Sequence, residues 1–241
     1  MIVIAILIGL LVGQLLNLFL ERFYSDRSLA GPMLICRFCD APAGALDFLP
    51  IVGYLSRAGR CPSCRRLLSI RTLLLPAGCA ALFALGYLAQ DRQFGAGLLA
   101  GGFCSIFLAL VFTDLDRHII PDRLTYPAMI AAALLAWGWT DRSLASIYIG
   151  GGSALLIAVG LFVLGRGGFF LGDVKMLILM GLTSGFPYFL SGLLITAILG
   201  GVVAILLLVT RIKGMKEFMP YGPFIAAGAI VTTLWGPALW N

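Results

Sequence analysis

The sequence predicts an all-α polytopic membrane protein with about eight transmembrane helices. Hydrophobic residues make up 61% of the 241 residues and charged residues only 12%, whereas a soluble domain carries roughly 25% charged residues. About 20 helical residues span the hydrocarbon core of a bilayer. Apolar runs of this length, joined by short linkers, lie at approximately residues 1–20, 72–90, 94–113, 124–140, 144–165, 174–190, 192–210 and 221–240. We expect one bundle of helices.

The first apolar run, residues 1–20, is interpreted as a retained transmembrane helix. A signal peptide has a basic segment before its apolar run and a small-residue cleavage site after it. Neither feature is present here, and the charged pair Glu21-Arg22 follows the run at once.

The distribution of lysine and arginine predicts the orientation. Residues 21–71 contain eight arginines, and the later loops on the same side add seven basic residues, whereas the other side has only Arg92 and Arg142. Basic residues collect in cytoplasmic loops, so the N-terminus is predicted outside and residues 21–71 in the cytoplasm. The net charge of +6 is then explained by the basic residues of the cytoplasmic loops. No aromatic residues alternate with a basic face, so a nucleic-acid partner is not expected.

The cytoplasmic segment 21–71 contains two pairs of cysteines, Cys36 with Cys39 and Cys61 with Cys64, each with CxxC spacing. Two such pairs suit a tetrahedral Zn²⁺ site with four thiolates. A disulfide is disfavoured because the cytoplasm keeps thiols reduced. Four thiolates leave no open position for water, so the zinc is predicted to be structural and to stabilise a small loop. We therefore divide the chain into a first helix (1–20), a zinc-binding loop (21–71) and a membrane core (72–241).

Two aspartates are the candidate catalytic residues. Asp114 ends the third predicted span and Asp173 opens the sixth, so both lie where the membrane meets the cytoplasm. An ionisable residue at membrane depth is by default a functional hypothesis. Two carboxylates held close together share a proton and can act as base and acid on a water molecule. The chain contains a single histidine, so a Ser/His or Cys/His pair does not compete well.

Other polar residues near these aspartates admit two interpretations. His118 is either an interfacial residue or a substrate contact. Asp116 and Asp122 are either structural or positioned to meet a basic substrate segment, and Asp122, which follows Pro121, suits a helix cap. Lys175 either extends to the interface or influences the aspartates. An ion-coupled transporter also uses membrane carboxylates, but it places them near the bilayer midplane, often between repeats, and no repeat is visible here.

Several segments together resemble the type IV prepilin peptidases, which are membrane aspartyl proteases of the GxGD class. The two active-site segments of that family resemble TDLDRHIIPDRLT and FFLGDVKM, which contain Asp114 and Asp173. Residues 9–22 resemble its first-helix motif, residues 219–229 its last-helix motif, and ALDFLPIVGYLSRAGRCPSC the approach to its second cysteine pair. The resemblance implies that Asp114 and Asp173 are catalytic. It also implies that the four paired cysteines bind zinc.

The resemblance also implies a substrate and a location. Enzymes of this family lie in the bacterial inner membrane and remove the short basic leader of prepilins or pseudopilins, the subunits of type IV pili and type II secretion systems. They cut after a glycine at the cytoplasmic face. Many then methylate the new N-terminus with S-adenosylmethionine. The expected partners are therefore prepilin-like substrates and the lipid bilayer.

The sequence departs from the family pattern at two positions. Phe170 replaces the first glycine of GxGD, and the family's glutamate after the zinc loop is an apolar residue or Pro76 here, although Arg71 remains. Methyl transfer requires the freed amine to lose a proton. Asp47 is either the residue that accepts this proton or a turn residue without a role in the reaction. The alternatives are a peptidase without methyltransferase activity and a noncatalytic assembly protein.

Overall fold

Helices form nearly all regular structure in the computed structural model, which describes residues 1–24, 39, 51–61, 63–164, 170–210 and 220–240. Within these residues, extended backbone pairs in one isolated antiparallel bridge, between Arg60 and Leu67. The helices are α1 (Ile2–Tyr24), α2 (Val52–Ser56), α3 (Arg71–Ala89), α4 (Phe94–Arg117), α5 (Asp122–Leu134), α6 (Leu144–Leu164), α7 (Leu171–Ser184), α8 (Tyr188–Val209) and α9 (Gly222–Trp240). The prediction of an all-α protein is confirmed.

The chain is an integral membrane protein, and each predicted span overlaps a helix. Six helices in the described part are long and apolar enough to cross a bilayer: α1, α3, α4, α6, α8 and α9. The other two, α5 and α7, contain 13 and 14 residues, fewer than the roughly 20 that span the hydrocarbon core. The predicted number of eight spans is therefore approximate.

Two predicted spans end earlier than expected. The sixth was predicted to continue to residue 190, but α7 ends at Ser184. The helix ends here because Gly185 adopts a φ of 75° and Pro187 follows, directly before α8. Glycine tolerates a positive φ, and proline has no amide hydrogen with which to continue a helix. The fourth predicted span similarly divides into α5 and a 3₁₀ turn at Ala136–Gly138.

Small residues bring α7 close to its neighbour α6. A Cβ built on Gly150 would lie 2.5 Å from the carbonyl oxygen of Gly181, so neither helix can carry a larger side chain at this crossing. Small residues are common at helix contacts in membranes because they let backbones approach. Cys79 and Cys104, in α3 and α4, are fully buried and pack in the interior of the bundle.

The contacts between helix ends sort into two groups, one at each end of the bundle. At the end that we call the aspartate end, Asp114 contacts Gly222 and Lys175 contacts Asp122. The last turn of α4 therefore lies beside the first turns of α5, α7 and α9. At the other end, which we call the opposite end, the C-terminal ends of α3 and α7 meet the segment before α6.

Candidate active site

Asp114 is held in the last turn of α4 by the start of α9. Its side chain is buried, and the backbone N–H of Gly222 donates a hydrogen bond to Asp114 Oδ2 at 3.1 Å. His118 follows α4 in a left-handed conformation, and its backbone N–H donates a hydrogen bond to the backbone carbonyl of Asp114 at 2.9 Å. A helix N-terminus favours a carboxylate because its amides are unpaired and its dipole is positive there. The carboxylate of Asp114 is thus fixed by two helices.

Asp173 is held in the first turn of α7 in a similar way. It is buried, and the backbone N–H of Phe170 donates to Asp173 Oδ2 at 3.1 Å. Phe170 precedes α7 in an extended conformation (φ −103°, ψ 159°), which any residue can adopt. A phenylalanine in place of the family's first glycine therefore causes no backbone strain.

Asp114 and Asp173 line the same cavity, which has a volume of about 590 Å³. Asp114 also lies close enough to interact electrostatically with Asp173. The structure thus brings together the two carboxylates that the sequence singled out, from helices that are far apart in the chain. Three other polar side chains line the cavity: His118, Lys175 and Tyr221. The rest of the lining consists of Ile119, Ile120, Phe162, Phe170, Leu171 and Gly172.

Such a site can activate water on a peptide bond. Close carboxylates cannot both ionise easily, so one remains protonated while the other acts as a base. In each aspartate, Oδ2 accepts a hydrogen bond from a backbone amide.

Family models match most of the chain. A model of the type IV leader peptidase family matches residues 101–205, which include both aspartates, and a model of the bacterial peptidase A24 N-terminal domain matches residues 7–90. A prepilin leader peptidase/N-methyltransferase of Burkholderia pseudomallei strain 1026b is 32% identical over 96% of this chain and 84% of its own length. The chain belongs to the type IV leader peptidase family.

Other relatives of the family carry the same name. A prepilin leader peptidase/N-methyltransferase of Pseudomonas putida is 28% identical over 99% of this chain and 92% of its own length. One of Pseudomonas aeruginosa is 25% identical over 96% of this chain and 89% of its own length. No solved structure matches the chain.

Two further acids at the aspartate end, Asp116 and Asp122, form ion pairs. Asp122 pairs with Lys175, whose Nζ also lies 5.0 Å from the centre of the Tyr126 ring. The prediction that Asp122 caps α5 is wrong: Pro121 occupies the capping position, and no side-chain hydrogen bond caps the helix. Asp122 instead lies in the first turn of α5, where the helix dipole also favours a negative charge.

Asp116 is an exposed residue that pairs with the buried Arg71, whose contacts join α1, α3 and α4. Arg71 is 3% exposed; its Nε donates to Asn17 Oδ1 and its NH1 to Asp116 Oδ2, both at 3.3 Å. Asp116 therefore has a structural partner, as one interpretation predicted. Asn17 was not identified as a contact from the sequence, although a polar residue within an apolar run signals a buried partner.

Three of the four predicted zinc ligands lie together. The sulfurs of Cys39, Cys61 and Cys64 are all within 4.8 Å of one another. Two sulfurs on a tetrahedral zinc with bonds of about 2.3 Å lie about 3.8 Å apart, and the sulfurs of Cys39 and Cys61 are 3.8 Å apart. This spacing fits a metal and exceeds a disulfide bond of about 2.05 Å. Cys36 and the methyl-transfer candidate Asp47 lie outside the described residues.

The sequence did not reveal the role of Gly222. A Cβ at this position would lie 2.5 Å from Asp114 Oδ2, so the amide can approach the carboxylate only because residue 222 has no side chain. The available signal was a Gly-Pro pair at the start of the last apolar run, which suits a helix start but does not identify the partner of its amide.

Proposed function

We propose that this chain is a membrane aspartyl endopeptidase that removes the basic leader of prepilins or pseudopilins after a glycine. The observation that carries the proposal is the pair of buried carboxylates, Asp114 and Asp173, in one cavity at one end of the bundle. Family membership and the names of the relatives support the same activity.

Asp114 and Asp173 divide the chemistry between them. The ionised carboxylate takes a proton from water as the water oxygen bonds to the carbonyl carbon, and the protonated carboxyl gives its proton to the carbonyl oxygen. When the tetrahedral intermediate collapses, the carbon–nitrogen bond breaks and the departing amine receives a proton from the carboxyl that gained one. A hydroxyl of the intermediate returns its proton to the other carboxylate, which restores the starting pair. The two backbone donors, Gly222 and Phe170, hold the carboxylates in place throughout.

The cavity suits a substrate that is apolar on one side of the cleaved bond. Its walls include Ile119, Phe162 and Leu171, which can accept the start of a membrane helix. The basic leader would remain in water. Asp116 and Asp122 already form ion pairs with Arg71 and Lys175, so binding of the leader by these two acids would require those pairs to exchange.

We further propose that the aspartate end faces the cytoplasm of a bacterial inner membrane, with the N-terminus outside. The basic residues of the chain support this orientation: Arg71, Arg117 and Lys175 lie at the aspartate end, and the two basic residues of the other side, Arg92 and Arg142, lie in loops at the opposite end. The division into a first helix (1–20), a loop (21–71) and a core (72–241) follows the same orientation.

Residues Cys36, Cys39, Cys61 and Cys64 are proposed to bind one structural Zn²⁺. The support is the spacing of the three described sulfurs. The described knuckle is shaped by its backbone, because the N–H of Arg65 donates to the carbonyl of Cys61 at 2.9 Å. With four thiolates as ligands, the metal has no open position and stabilises the loop only.

N-methylation of the new N-terminus is proposed as a second activity. Its support is the name that the relatives carry. S-adenosylmethionine supplies the methyl group when it is bound, and Asp47 is the proposed acceptor of the proton that the amine loses. The alternative is a peptidase without methyltransferase activity, because the family's glutamate is missing.

The peptidase activity is tested by incubating the purified protein in detergent with a synthetic peptide that has a basic leader, a glycine and an apolar helix. Mass spectrometry of the products should show one cut, directly after the glycine. An intact peptide after prolonged incubation with folded protein would contradict the proposed activity and would favour a noncatalytic assembly role.

A further inference from the structure

Arg142 is a buried charged residue with hydrogen bonds to several segments, and it lies at the opposite end from the aspartates. It is 8% exposed overall and its side-chain nitrogens are fully covered. Asp141 accepts from Nε at 2.8 Å and from NH2 at 2.6 Å. The guanidinium also stacks on Trp139 at 4.2 Å from the ring centre. The loop before α6 therefore fixes the position of this side chain.

The remaining donors of Arg142 reach carbonyls on two other helices. NH1 donates to the carbonyls of Thr183 and Ser184, and NH2 donates to the carbonyl of Thr233 at 3.1 Å. Thr183 and Ser184 are the last residues of α7, and Thr233 lies in α9. One planar group thus binds backbone from α7 and α9 at once, which a guanidinium can do because its donors form a fixed fork.

Each of these carbonyls lacks a partner within its own helix. The last carbonyls of α7 have no amide one turn further on, because the helix ends at Ser184. In α9, the amide that would bond Thr233 belongs to position 237, which is Pro237, and proline has no N–H. An unpaired carbonyl is costly where water is scarce. The sequence therefore creates acceptors in two helices, and Arg142 satisfies both sets.

Neighbouring contacts strengthen this junction. Thr233 Oγ1 donates to Thr183 Oγ1 at 3.2 Å, and the hydroxyls of Ser184 and Thr232 lie 2.9 Å apart. Burial alone would raise the pKa of Asp141, but the hydrogen bonds and charge of Arg142 hold it below its ordinary value. The carboxylate that anchors Arg142 is therefore ionised at neutral pH.

The two helices joined here are the ones whose first turns build the candidate active site. At a rise of about 1.5 Å per residue, about 15 Å of α7 separates Asp173 from Thr183 and about 16 Å of α9 separates Gly222 from Thr233. Asp173 is one aspartate, and Gly222 holds the other. A shift of α7 along α9 at the opposite end would change the separation of the two carboxylates.

We infer that Arg142 is a positioning residue that fixes α7 against α9 and thereby sets the geometry of Asp173 relative to Asp114. The inference goes beyond the proposed peptidase function and depends on it only for the activity measurement. A lysine cannot replace the guanidinium, because its single nitrogen cannot bind carbonyls of both helices and both oxygens of Asp141.

The test uses the full-length protein in detergent and compares Arg142→Lys with Arg92→Lys. Arg92 is a matched control because it lies in an exposed loop at the same end. Hydrogen exchange measured by mass spectrometry gives one readout, and kcat and KM for the synthetic leader peptide, per folded molecule, give the other. A displacement of about 1 Å at a catalytic group costs about 100-fold in rate.

For Arg142→Lys we expect faster exchange in the first turns of α7 and α9 and a 10- to 100-fold fall in kcat. KM should stay within about twofold, because the cavity lining is unchanged. Arg92→Lys should match the wild type. If Arg142→Lys does not fold, Asp141→Asn, which weakens the anchor of Arg142, should change the same readouts in the same directions.

Exchange that increases only around Thr183 and Thr233, with a wild-type kcat, would overturn the inference and leave Arg142 as a local helix cap. A wild-type protein that does not cleave the peptide would instead refute the proposed peptidase function. In that case, exchange at the first turns of α7 and α9 would still decide whether Arg142 positions these helices.

Discussion

Gly222→Ala perturbs the contact between α9 and Asp114 with a single methyl group. The added Cβ would lie 2.5 Å from Asp114 Oδ2 and 2.8 Å from its Cγ. Non-bonded heavy atoms prefer separations of about 3.5 Å. The carboxylate must therefore move by about 1 Å, or the 3.1 Å hydrogen bond from the amide must break.

The magnitude follows from this displacement. A misplacement of about 1 Å costs about 100-fold in rate, which corresponds to about 2.7 kcal/mol of activation free energy. The crowded contact and the lost hydrogen bond together destabilise the fold by about 1–3 kcal/mol. We expect kcat to fall about 100-fold, KM to change little and the protein to remain folded.

The assay measures kcat and KM with the leader peptide and records thermal unfolding of the same samples. Gly102→Ala is the control, because Gly102 lies on the same helix as Asp114 and an added Cβ there meets nothing within 4 Å. A Gly222→Ala protein that cleaves as fast as the wild type would refute the reasoning that the amide of Gly222 positions Asp114.

Two further predictions concern the loop and the second activity. Freshly purified protein should contain one zinc per chain, and Cys61→Ser should lower the zinc content and make residues 22–71 sensitive to protease, because metal binding and folding of the loop are coupled; metal analysis without zinc would contradict this. With S-adenosylmethionine present, the processed product should gain the mass of one methyl group, and Asp47→Asn should reduce that gain without affecting cleavage. A product that is cut but never methylated would establish a peptidase alone.

Much of the architecture could be predicted because it depends on local composition. Apolar runs of sufficient length identified every long helix, and the position of Asp114 and Asp173 at the ends of such runs brought them to one end of the bundle. The CxxC spacing predicted the grouping of Cys39, Cys61 and Cys64, for which the described sulfurs agree. These signals lie within single segments of sequence.

The contacts that Gly222 and Arg142 make could not be predicted, because they join segments more than 40 residues apart. Gly222 is 108 residues from Asp114, and Arg142 is 91 residues from Thr233. The count of basic residues treated Arg142 as an ordinary loop charge, although its side chain is buried. The cap assigned to Asp122 failed for a local reason, because α5 begins at Asp122 itself, one residue earlier than a cap at that position requires. The ion pair of Asp122 with Lys175, 53 residues away, could not be predicted either.

The central claim is that Asp114 and Asp173 act together on the peptide bond, and single and double substitutions test it most directly. Cleavage of the leader peptide should be measured for Asp114→Asn, Asp173→Asn and the double variant, with Asp116→Asn as the control that retains measurable activity. Because the two carboxylates act as one unit, each single variant should lose nearly as much activity as the double variant. Wild-type cleavage by either folded single variant would contradict the account.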